Sequence, residues 1–523
     1  MEPTAGAVRQ SRIRHGSLFI LVMGFLLGVL VTDLAITPSR REAPARTSVG
    51  ATAGTSGGSG GGTIVAGAAT TDDTAAGAPA GTAAGTAAPG GTAAGSAAAQ
   101  STPAGGAQAA STAAGPAASG NSGASARGVT ATSVKIGIAM PDTSVYKALN
   151  ANFDSGDLQQ KVLAVVDRWK RENKVPIAGR NVELVFKTVN PLDSNAQQSS
   201  CTDFIQTDQV FAVVAVGEYG VGVDCVAKTF KTPIISDQSA NYVTDQDMQS
   251  ELPYRFQAAM TSDRLDRNWI QWANSRGLLA GKKIGLYYAR GGSNPDQPGQ
   301  VIINELKKVG ITPAVVQATD SALGGPDDQL AVQKFQAAGV NLAILPMSSI
   351  TQSNFQRYAQ AQGYKPAYIE NDLVYNSDDF VASTMIQEQI DGTFALTARH
   401  EGEFGAHQLD PVAESCAENY ERYSNTKLDR SKQTGFWVYT ALACDQMSML
   451  LTGLQAAGGD LTPQRFIAGL EAMNNVPMAR FGNVTFSPTK HDGESSVRTI
   501  QYHSSCACYQ TVGDPAFGPL FTQ

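Results

Sequence analysis

Polar side chains gather directly after the apolar segments of this sequence, where the strands of a parallel sheet would end. They are Asp142, Ser144, Glu218, Tyr219, Gly220, Gln238 and Ser239 in the first half of the folded part, and Arg290, Ser348 and Glu370 in the second. In an open parallel sheet, ligands bind beyond the carboxyl ends of the strands. Carboxylates, hydroxyls, amides and a guanidinium hold a small polar molecule by hydrogen bonds, and aromatic rings exclude water. These residues are therefore predicted to bind a small solute.

No complete catalytic signature accompanies them. Residues 144–147 have the S-x-x-K spacing of serine acyl-enzymes, but the S-D-N and K-T-G strings that go with it are missing. Residues 277–283 are one residue short of a P-loop and lack its Ser or Thr. The glycines of 217–222 instead favour a tight turn that lets backbone amides approach a ligand at a helix start. The chain is predicted to be no enzyme and to need no cofactor or metal.

The cysteines favour a disulfide-forming compartment, because their number is even. They are Cys201, Cys225, Cys416, Cys444, Cys506 and Cys508. The C-x-C spacing of the last two, without a second pair or clustered histidines, does not fit zinc. Pairing between sequence neighbours (201–225, 416–444 and 506–508) is the simplest hypothesis among the roughly fifteen possible connectivities.

Composition divides the 523 residues into a linker and a folded part. Residues 37–127 are rich in Ala, Gly, Thr and Ser and nearly lack large apolar side chains, so they cannot bury enough surface to offset the entropy of ordering. Residues 128–523 are long enough for two lobes with cores. The net charge is −7 and basic residues do not cluster outside the N-terminus, which argues against nucleic acid as a partner.

The N-terminus carries a membrane-targeting pattern. Arg9, Arg12 and Arg14 precede an apolar run, an order that keeps the N-terminus in the cytoplasm and sends the rest outside. No small-x-small cleavage site follows promptly, so 17–36 is predicted to be an uncleaved single-pass anchor after a cytoplasmic tail, 1–16. The domain would then lie on the extracytoplasmic face of the cell membrane, or be secreted if the segment is cleaved. The linker would let it move within about 50 Å of the membrane.

The folded part alternates short apolar strands with longer amphipathic helices, a rhythm typical of parallel sheets covered on both faces. The rhythm starts at 134–140, where VKIGIAM reads as a strand before a helix at 158–174. It restarts at 282–289, and this repeat predicts two similar lobes rather than one large sheet. Further helices are predicted at 194–207, 220–231, 411–423, 434–454 and 463–473.

Several strings together resemble the type I periplasmic solute-binding family, which includes the leucine/isoleucine/valine-binding proteins of ABC importers. They are V-x-I-G-x-x-x-P at 134–141, F-A-V-V-x-V-G at 211–217, T-P-I-I-S at 232–236, Y-R-F at 254–256, K-I-G-L-Y-Y at 283–288 and G-N-V-x-F-S at 482–487. The resemblance implies two Rossmann-like lobes joined by three crossovers, near 257–261, 391–398 and 481–486. Lobe 1 is then expected at about 128–258 and 395–484, and lobe 2 at about 259–394 and 485–523.

The resemblance implies that a ligand's head group binds at 218–220 and 238–239. Amino-acid binders of the family usually carry a Ser or Thr at the first of these places, where this chain has Glu218, Tyr219 and Gly220. A carboxylate there repels the carboxylate of an amino acid unless Arg290 or a cationic ligand group balances it. The predicted function is extracytoplasmic binding of a small polar solute, an amino acid or a related compound, for delivery to an ABC permease. A membrane-tethered sensor or scavenger without a permease is the alternative.

Overall fold

The structure is a computed structural model, and it describes residues 125–149, 154–237, 242–291, 294–321, 323–406 and 408–522. The predicted tail, anchor and almost all of the linker lie outside these ranges. Among the described helices, none combines the length and the apolar character that crossing a membrane requires.

The strands and helices of this part follow one another in the alternating order that the sequence predicts. The strands are β1 (Ser133–Pro141), β2 (Asn181–Val189), β3 (Ala212–Ala215), β4 (Ile234–Ser236), β5 (Arg255–Gln257), β6 (Ile284–Ala289), β7 (Val315–Thr319), β8 (Leu342–Ile344), β9 (Ala367–Asn371), β10 (Phe394–Thr397), β11 (Val476–Pro477), β12 (Asn483–Val484), β13 (Ser496–His503), β14 (Cys508–Thr511) and β15 (Gly518–Pro519). The α-helices are α1 (Leu158–Arg171), α2 (Ser194–Thr202), α3 (Val221–Asp224), α4 (Asp245–Glu251), α5 (Ser262–Ser275), α6 (Gln297–Lys308), α7 (Pro326–Ala338), α8 (Ser349–Ala361), α9 (Asp379–Ala382), α10 (Gln387–Ile390), α11 (Glu403–Ala406), α12 (Pro411–Ser424), α13 (Gly435–Ala457) and α14 (Pro463–Glu471).

Two of the predicted helices are shorter than expected. The helix expected at 194–207 is α2 followed by a π-helical turn, Asp203–Thr207. The helix expected at 220–231 is the four-residue α3 followed by a second π-helical turn, Cys225–Thr229. Apolar periodicity alone does not distinguish a π turn from an α turn, because both place side chains on one face.

The first sheet is entirely parallel, with the strand order β2-β1-β3-β4-β5. Ile138 lies opposite Phe186 on one side and Val214 on the other. β3 and β4 are buried along their whole length, as continuous apolar strands covered on both faces should be. The carboxyl ends of β1, β3 and β4 therefore lie at the same edge of the sheet.

The second sheet has the order β14-β13-β10-β9-β8-β6-β7. β6 to β10 are parallel to one another, whereas β13 runs antiparallel to β10, β14 and β15. Each sheet has its own apolar core. The core of the first sheet includes Ile136 and Leu450, and that of the second includes Leu286 and Trp269. The predicted α/β fold of two lobes with parallel sheets is confirmed.

The chain passes between the two sheets three times. It does so between β5 and α5, after β10, and between β12 and β13. The third passage lies at 485–495, later than the expected 481–486, because Phe486 still packs in the core of the first lobe. The first and third passages are tied together: the Met260 amide donates to Glu494 Oε2 at 2.8 Å, and the Thr261 amide to Asp492 Oδ2 at 3.1 Å.

A buried lysine joins α1 to α13. The Nζ atom of Lys161 donates to the carbonyl of Phe436 at 3.0 Å and to Thr440 Oγ1 at 2.7 Å, and it lies 3.1 Å from the centre of the Phe436 ring. Burial lowers the pKa of Lys161 to about 6, although Asp154 and Asp157 act to raise it. Above pH 6, the folded chain therefore binds fewer protons at this residue than the unfolded chain does.

Lys161→Met should remove a pH dependence of stability. Because the folded pKa is lowered, Lys161 makes the wild type more stable as pH rises from about 6 towards 10. Relative to the variant, the wild type should gain roughly 1 kcal/mol of unfolding free energy per pH unit in this range, measured by urea unfolding at pH 6.5, 7.5 and 8.5. Lys170→Met, an exposed position on α1, is the control. Parallel curves for wild type and Lys161→Met would contradict the assignment.

Candidate functional site

Side chains from both lobes meet where the strand ends of the two sheets face each other. Glu218 follows β3, Asp237 follows β4, Tyr375 follows β9, Tyr439 lies on α13 and Arg480 precedes β12. Each of them acts electrostatically on one or more of the others. We call these five residues the interlobe cluster.

One hydrogen bond in the interlobe cluster joins the two sheets directly. The hydroxyl of Tyr375 donates to Asp237 Oδ2 at 2.7 Å, and both residues are at least nine-tenths buried. Tyr242 makes a second link, because its hydroxyl donates to the carbonyl of Pro346, just after β8. These bonds hold the carboxyl edge of the first sheet against that of the second, the arrangement of a closed two-lobed cleft.

A glycine allows the first sheet to approach α13 at this edge. Gly217 has a φ of +101°, and an added Cβ would lie 3.0 Å from both Pro141 and the ring of Tyr439. The chain turns here, between β3 and Glu218, and a larger residue would be strained by the left-handed backbone as well as by contact. The turn therefore sets Glu218 beside Tyr439.

Arg480 is fixed by carboxylates and by the backbone that carries it. Its Nη2 atom lies 2.9 Å from Asp378 Oδ2, its Nη1 atom lies 3.6 Å from Glu401 Oε1, and its guanidinium is 4.9 Å from the centre of the Tyr375 ring. Burial acts to lower the pKa of Arg480, but the charges of Asp378 and Glu401 raise it. Arg480 is therefore charged, and these two carboxylates already face that charge.

Asp445, on α13, positions the segment that carries Arg480. Its carboxylate accepts the amides of Ala479 at 2.5 Å, Arg480 at 2.8 Å and Phe481 at 3.4 Å. Burial raises the pKa of Asp445 to about 6, against these hydrogen bonds, which lower it. One buried carboxylate thus orders three consecutive residues at the edge of the cleft.

The carboxylates of the first lobe are only partly satisfied. Burial, with a contribution from the negative charge of Asp237, raises the pKa of Glu218 to about 8. Glu218 keeps some exposed surface, but its Oε2 atom is buried and accepts no hydrogen bond within the described part of the chain. The same holds for Oδ1 of Asp237, a residue only 7% exposed. Buried polar atoms without a partner are rare, and a bound molecule is one way to satisfy them.

Of the residues predicted after β3, the structure brings Glu218 to the interlobe cluster and turns Tyr219 away from it. The Tyr219 ring packs in the core of the first lobe, against Val223 and Val226, and its hydroxyl lies 2.8 Å from Ser200 Oγ.

The amide that follows Gly220 is already occupied by a side chain. Gly220 has a φ of +43°, and the amide of the next residue, Val221, donates to Gln197 Oε1 at 2.9 Å. The glycines therefore serve a turn, as predicted, but the amide that would have approached a ligand is held by a side chain of α2.

The other residues predicted in the first lobe are placed less centrally. Asp142 accepts hydrogen bonds from the amide and hydroxyl of Ser144, and Ser144 is exposed. They form a local turn after β1. Gln238 and Ser239 lie outside the described residues.

In the second lobe, Arg290 is more than a third exposed and pairs with Asp296 at 2.8 Å and Asp320 at 3.1 Å. Ser348 caps α8 through a bond from the Thr351 amide. Glu370 is 2% exposed and accepts from Gln352 Nε2 at 3.1 Å, and burial raises its pKa to about 8. Arg290 and Glu370 thus pair with side chains of their own lobe that are not members of the interlobe cluster.

The cysteines are joined as the simplest hypothesis has them, with disulfides between Cys201 and Cys225, Cys416 and Cys444, and Cys506 and Cys508. The first links α2 to the π-helical turn Cys225–Thr229, and the second links α12 to α13. Within the described ranges, no group of three His, Cys, Asp or Glu side chains is arranged to hold a metal ion.

A family model for periplasmic binding proteins matches residues 133–507. That stretch includes the first sheet, all of the second sheet except β14 and β15, the three passages between the lobes and the whole interlobe cluster. A search among curated proteins finds no match.

Solved structures share the fold at low sequence identity. A leucine binding protein from Thermotoga maritima is 15% identical with a TM-score of 0.54, covering 73% of this chain and 98% of its own. A solute binding protein from R. palustris in complex with 4-hydroxybenzoate is 14% identical with a TM-score of 0.57, covering 74% and 97%. A fatty acid ABC transporter substrate-binding protein from Thermomonospora curvata is 17% identical with a TM-score of 0.55, covering 76% and 98%.

Proposed function

Since the chain belongs to the periplasmic binding protein family, whose members bind solutes rather than catalyse reactions, we propose that it binds a small polar solute between its lobes and delivers it to an ABC importer. The observation that carries this proposal is the interlobe cluster. Buried carboxylate oxygens of Glu218 and Asp237 have no hydrogen-bond partner in the described part of the chain, and they lie where two sheets are joined by the Tyr375 hydroxyl.

The relatives support a solute of modest size, because the proteins named above are described as taking leucine, 4-hydroxybenzoate or a fatty acid. At such low identity the likeness extends to the fold alone. The choice of ligand must therefore come from the cleft of this chain.

A thermal-shift screen tests solute binding. A ligand that binds only the folded state raises the melting temperature by mass action, corresponding to about 2.7 kcal/mol at a concentration one hundred times its Kd. Amino acids, aromatic acids, amines, sugars and short peptides should include one or more compounds that shift the full-length chain. A screen of this breadth without any shift would count against the proposal.

Tyr375→Phe should weaken binding of a compound found in this way by about tenfold. The variant keeps the ring but removes the hydrogen bond that joins the sheets and orients Asp237, a loss of about 1.5 kcal/mol for a bond to a charged group. Tyr364→Phe is the matched control, because the Tyr364 hydroxyl donates at 2.8 Å to the Val340 carbonyl within the second lobe. Equal dissociation constants for the two variants, measured by calorimetry, would remove the Tyr375–Asp237 bond from the mechanism.

The family places the domain outside the cytoplasmic membrane, and we propose that residues 17–36 tether it there. The charge order around the apolar run supports this orientation. An intact anchor keeps the expressed chain in the membrane fraction until detergent is added, and the mature N-terminus then precedes residue 17. A soluble product whose N-terminal sequence begins beyond residue 36 would show cleavage instead.

A further inference from the structure

More carboxyl groups than guanidiniums lie in and around the interlobe cluster. Arg480 and its neighbour Arg399 face the carboxyl groups of Asp237, Asp372, Asp378, Glu401 and Glu494. Asp378 is shared between them, at 2.9 Å from Arg480 and 3.8 Å from Arg399. Carboxyl groups thus outnumber the two guanidiniums, although Nε of Arg480 and both Nε and Nη1 of Arg399 have no hydrogen-bond partner within the described residues.

Two of the unsatisfied buried atoms are carboxyl oxygens of the first lobe. Asp237 Oδ2 has the Tyr375 hydroxyl, but Oδ1 has no donor in the described part of the chain, and neither does Oε2 of the neighbouring Glu218. An ionised carboxylate buried without a donor or counter-charge is costly. For Asp237 Oδ1 the missing partner is therefore a hydrogen-bond donor, and a positively charged donor also offsets the negative charge of the carboxylate.

The rings beside these carboxylates suit the same kind of group. Tyr375 is 5% exposed and Tyr439 is 3% exposed, and both lie close enough to Glu218 and Asp237 to be affected by their charges. Aromatic faces attract cations through the ring quadrupole. A carboxylate group placed against Glu218 and Asp237 would instead be repelled by their like charge.

We propose that the ligand carries a cationic amine, and that its ammonium group binds between Glu218 and Asp237, against the rings of Tyr375 and Tyr439. This inference rests on the proposed solute-binding function and specifies its ligand class. It separates the chain from relatives described as binding 4-hydroxybenzoate or a fatty acid.

The protonation of Glu218 fits this assignment. Burial and the charge of Asp237 raise its pKa to about 8, so that at neutral pH the empty site holds a proton where a cation would bind. The charged or titratable groups that face Glu218 are Asp237, Tyr375 and Tyr439, with Arg480 behind Tyr375. An ammonium group displaces the proton, so affinity for an amine rises with pH from 6 to 8.

Two series of compounds with matched skeletons test the ligand class by calorimetry on the full-length chain. One is 1,4-diaminobutane, 4-aminobutanoate, butane-1,4-diol and butanedioate, and the other is benzylamine, benzyl alcohol and 4-hydroxybenzoate. In one or both series, the amine (1,4-diaminobutane or benzylamine) should bind at least tenfold tighter than the alcohol and the carboxylate of the same series. Tightest binding by an alcohol or a carboxylate would overturn the inference.

Substitutions then locate the ammonium site. Asp237→Asn should weaken binding of the best amine at least tenfold, and so should Glu218→Gln, which removes the charge without touching the Tyr375 bond. The control is Asp266→Asn on α5, another buried aspartate with an unpartnered oxygen within the described residues. Unchanged affinity in both Asp237→Asn and Glu218→Gln would overturn the site.

The outcomes separate this inference from the proposed function. Binding of 4-hydroxybenzoate or leucine with no response to amines would keep solute binding and overturn the cationic ligand. No binding in either series or in the wider thermal-shift screen would count against both.

Discussion

Arg480→Met should lower the free energy of unfolding by about 3–5 kcal/mol, because it leaves the buried carboxylate of Asp378 without its nearest counter-charge. Both partners of the Arg480–Asp378 pair are almost fully buried, with side-chain exposures of 2% and 0%. Arg399 cannot replace the lost charge, since it is 3.8 Å from Asp378 and also serves Glu494. Methionine keeps an unbranched apolar side chain at this position, so the substitution mainly removes the positive charge. Urea unfolding of wild type and variant at pH 7 measures the difference.

Arg465→Met is the matched control for this prediction. Arg465 pairs with Asp460 at 2.8 Å, a shorter distance than that of the buried pair, but the two side chains are 60% and 50% exposed. An exposed pair contributes about 0–1 kcal/mol, so the control should lie within about 0.5 kcal/mol of wild type. Similar losses in the two variants would show that burial does not set the cost.

The fold was predictable from the sequence because each strand is a short apolar run bounded by turn residues. The VKIGIAM string at 134–140 lies in β1, the F-A-V-V-x-V-G string at 211–217 contains β3, and the restart at 282–289 contains β6 of the second sheet. The disulfide pairing was also predictable, because the two cysteines of each pair are close in the sequence. What such runs do not encode is the type of helical turn, as the π turns after α2 and α3 show.

The site was predictable only in part. Glu218 was predicted because it follows a strand of a parallel sheet. The adjacent Tyr219 points into the core instead, because a turn sends neighbouring side chains in different directions. Asp237 comes directly after the T-P-I-I-S string at 232–236, so the rule that ligands bind beyond strand ends would have found it as well. Tyr439 and Arg480 carry no such signal, because one lies within a long apolar helix and the other in a connection, and tertiary packing alone brings them to the strand ends.

Asp445, on the same helix as Tyr439, is the subject of the last prediction, Asp445→Ala. The substitution removes the acceptor of three buried amides, those of Ala479, Arg480 and Phe481. Each buried donor left without a partner costs about 1–3 kcal/mol, so the variant should lose at least about 3 kcal/mol of unfolding free energy.

Its control is Asp193→Ala, which removes a carboxylate that accepts two amides at the exposed start of α2. A helix cap of this kind is worth about 1 kcal/mol. Asp445→Ala should also weaken solute binding, because the Arg480 backbone loses its anchor, whereas Asp193→Ala should not. In the double variant with Arg480→Met, the stability losses should not add, since Asp445 acts on the cleft largely by holding Arg480 against Asp378. Additive losses would mean that the two residues stabilise the first lobe independently, and that the cleft does not depend on α13 for its shape.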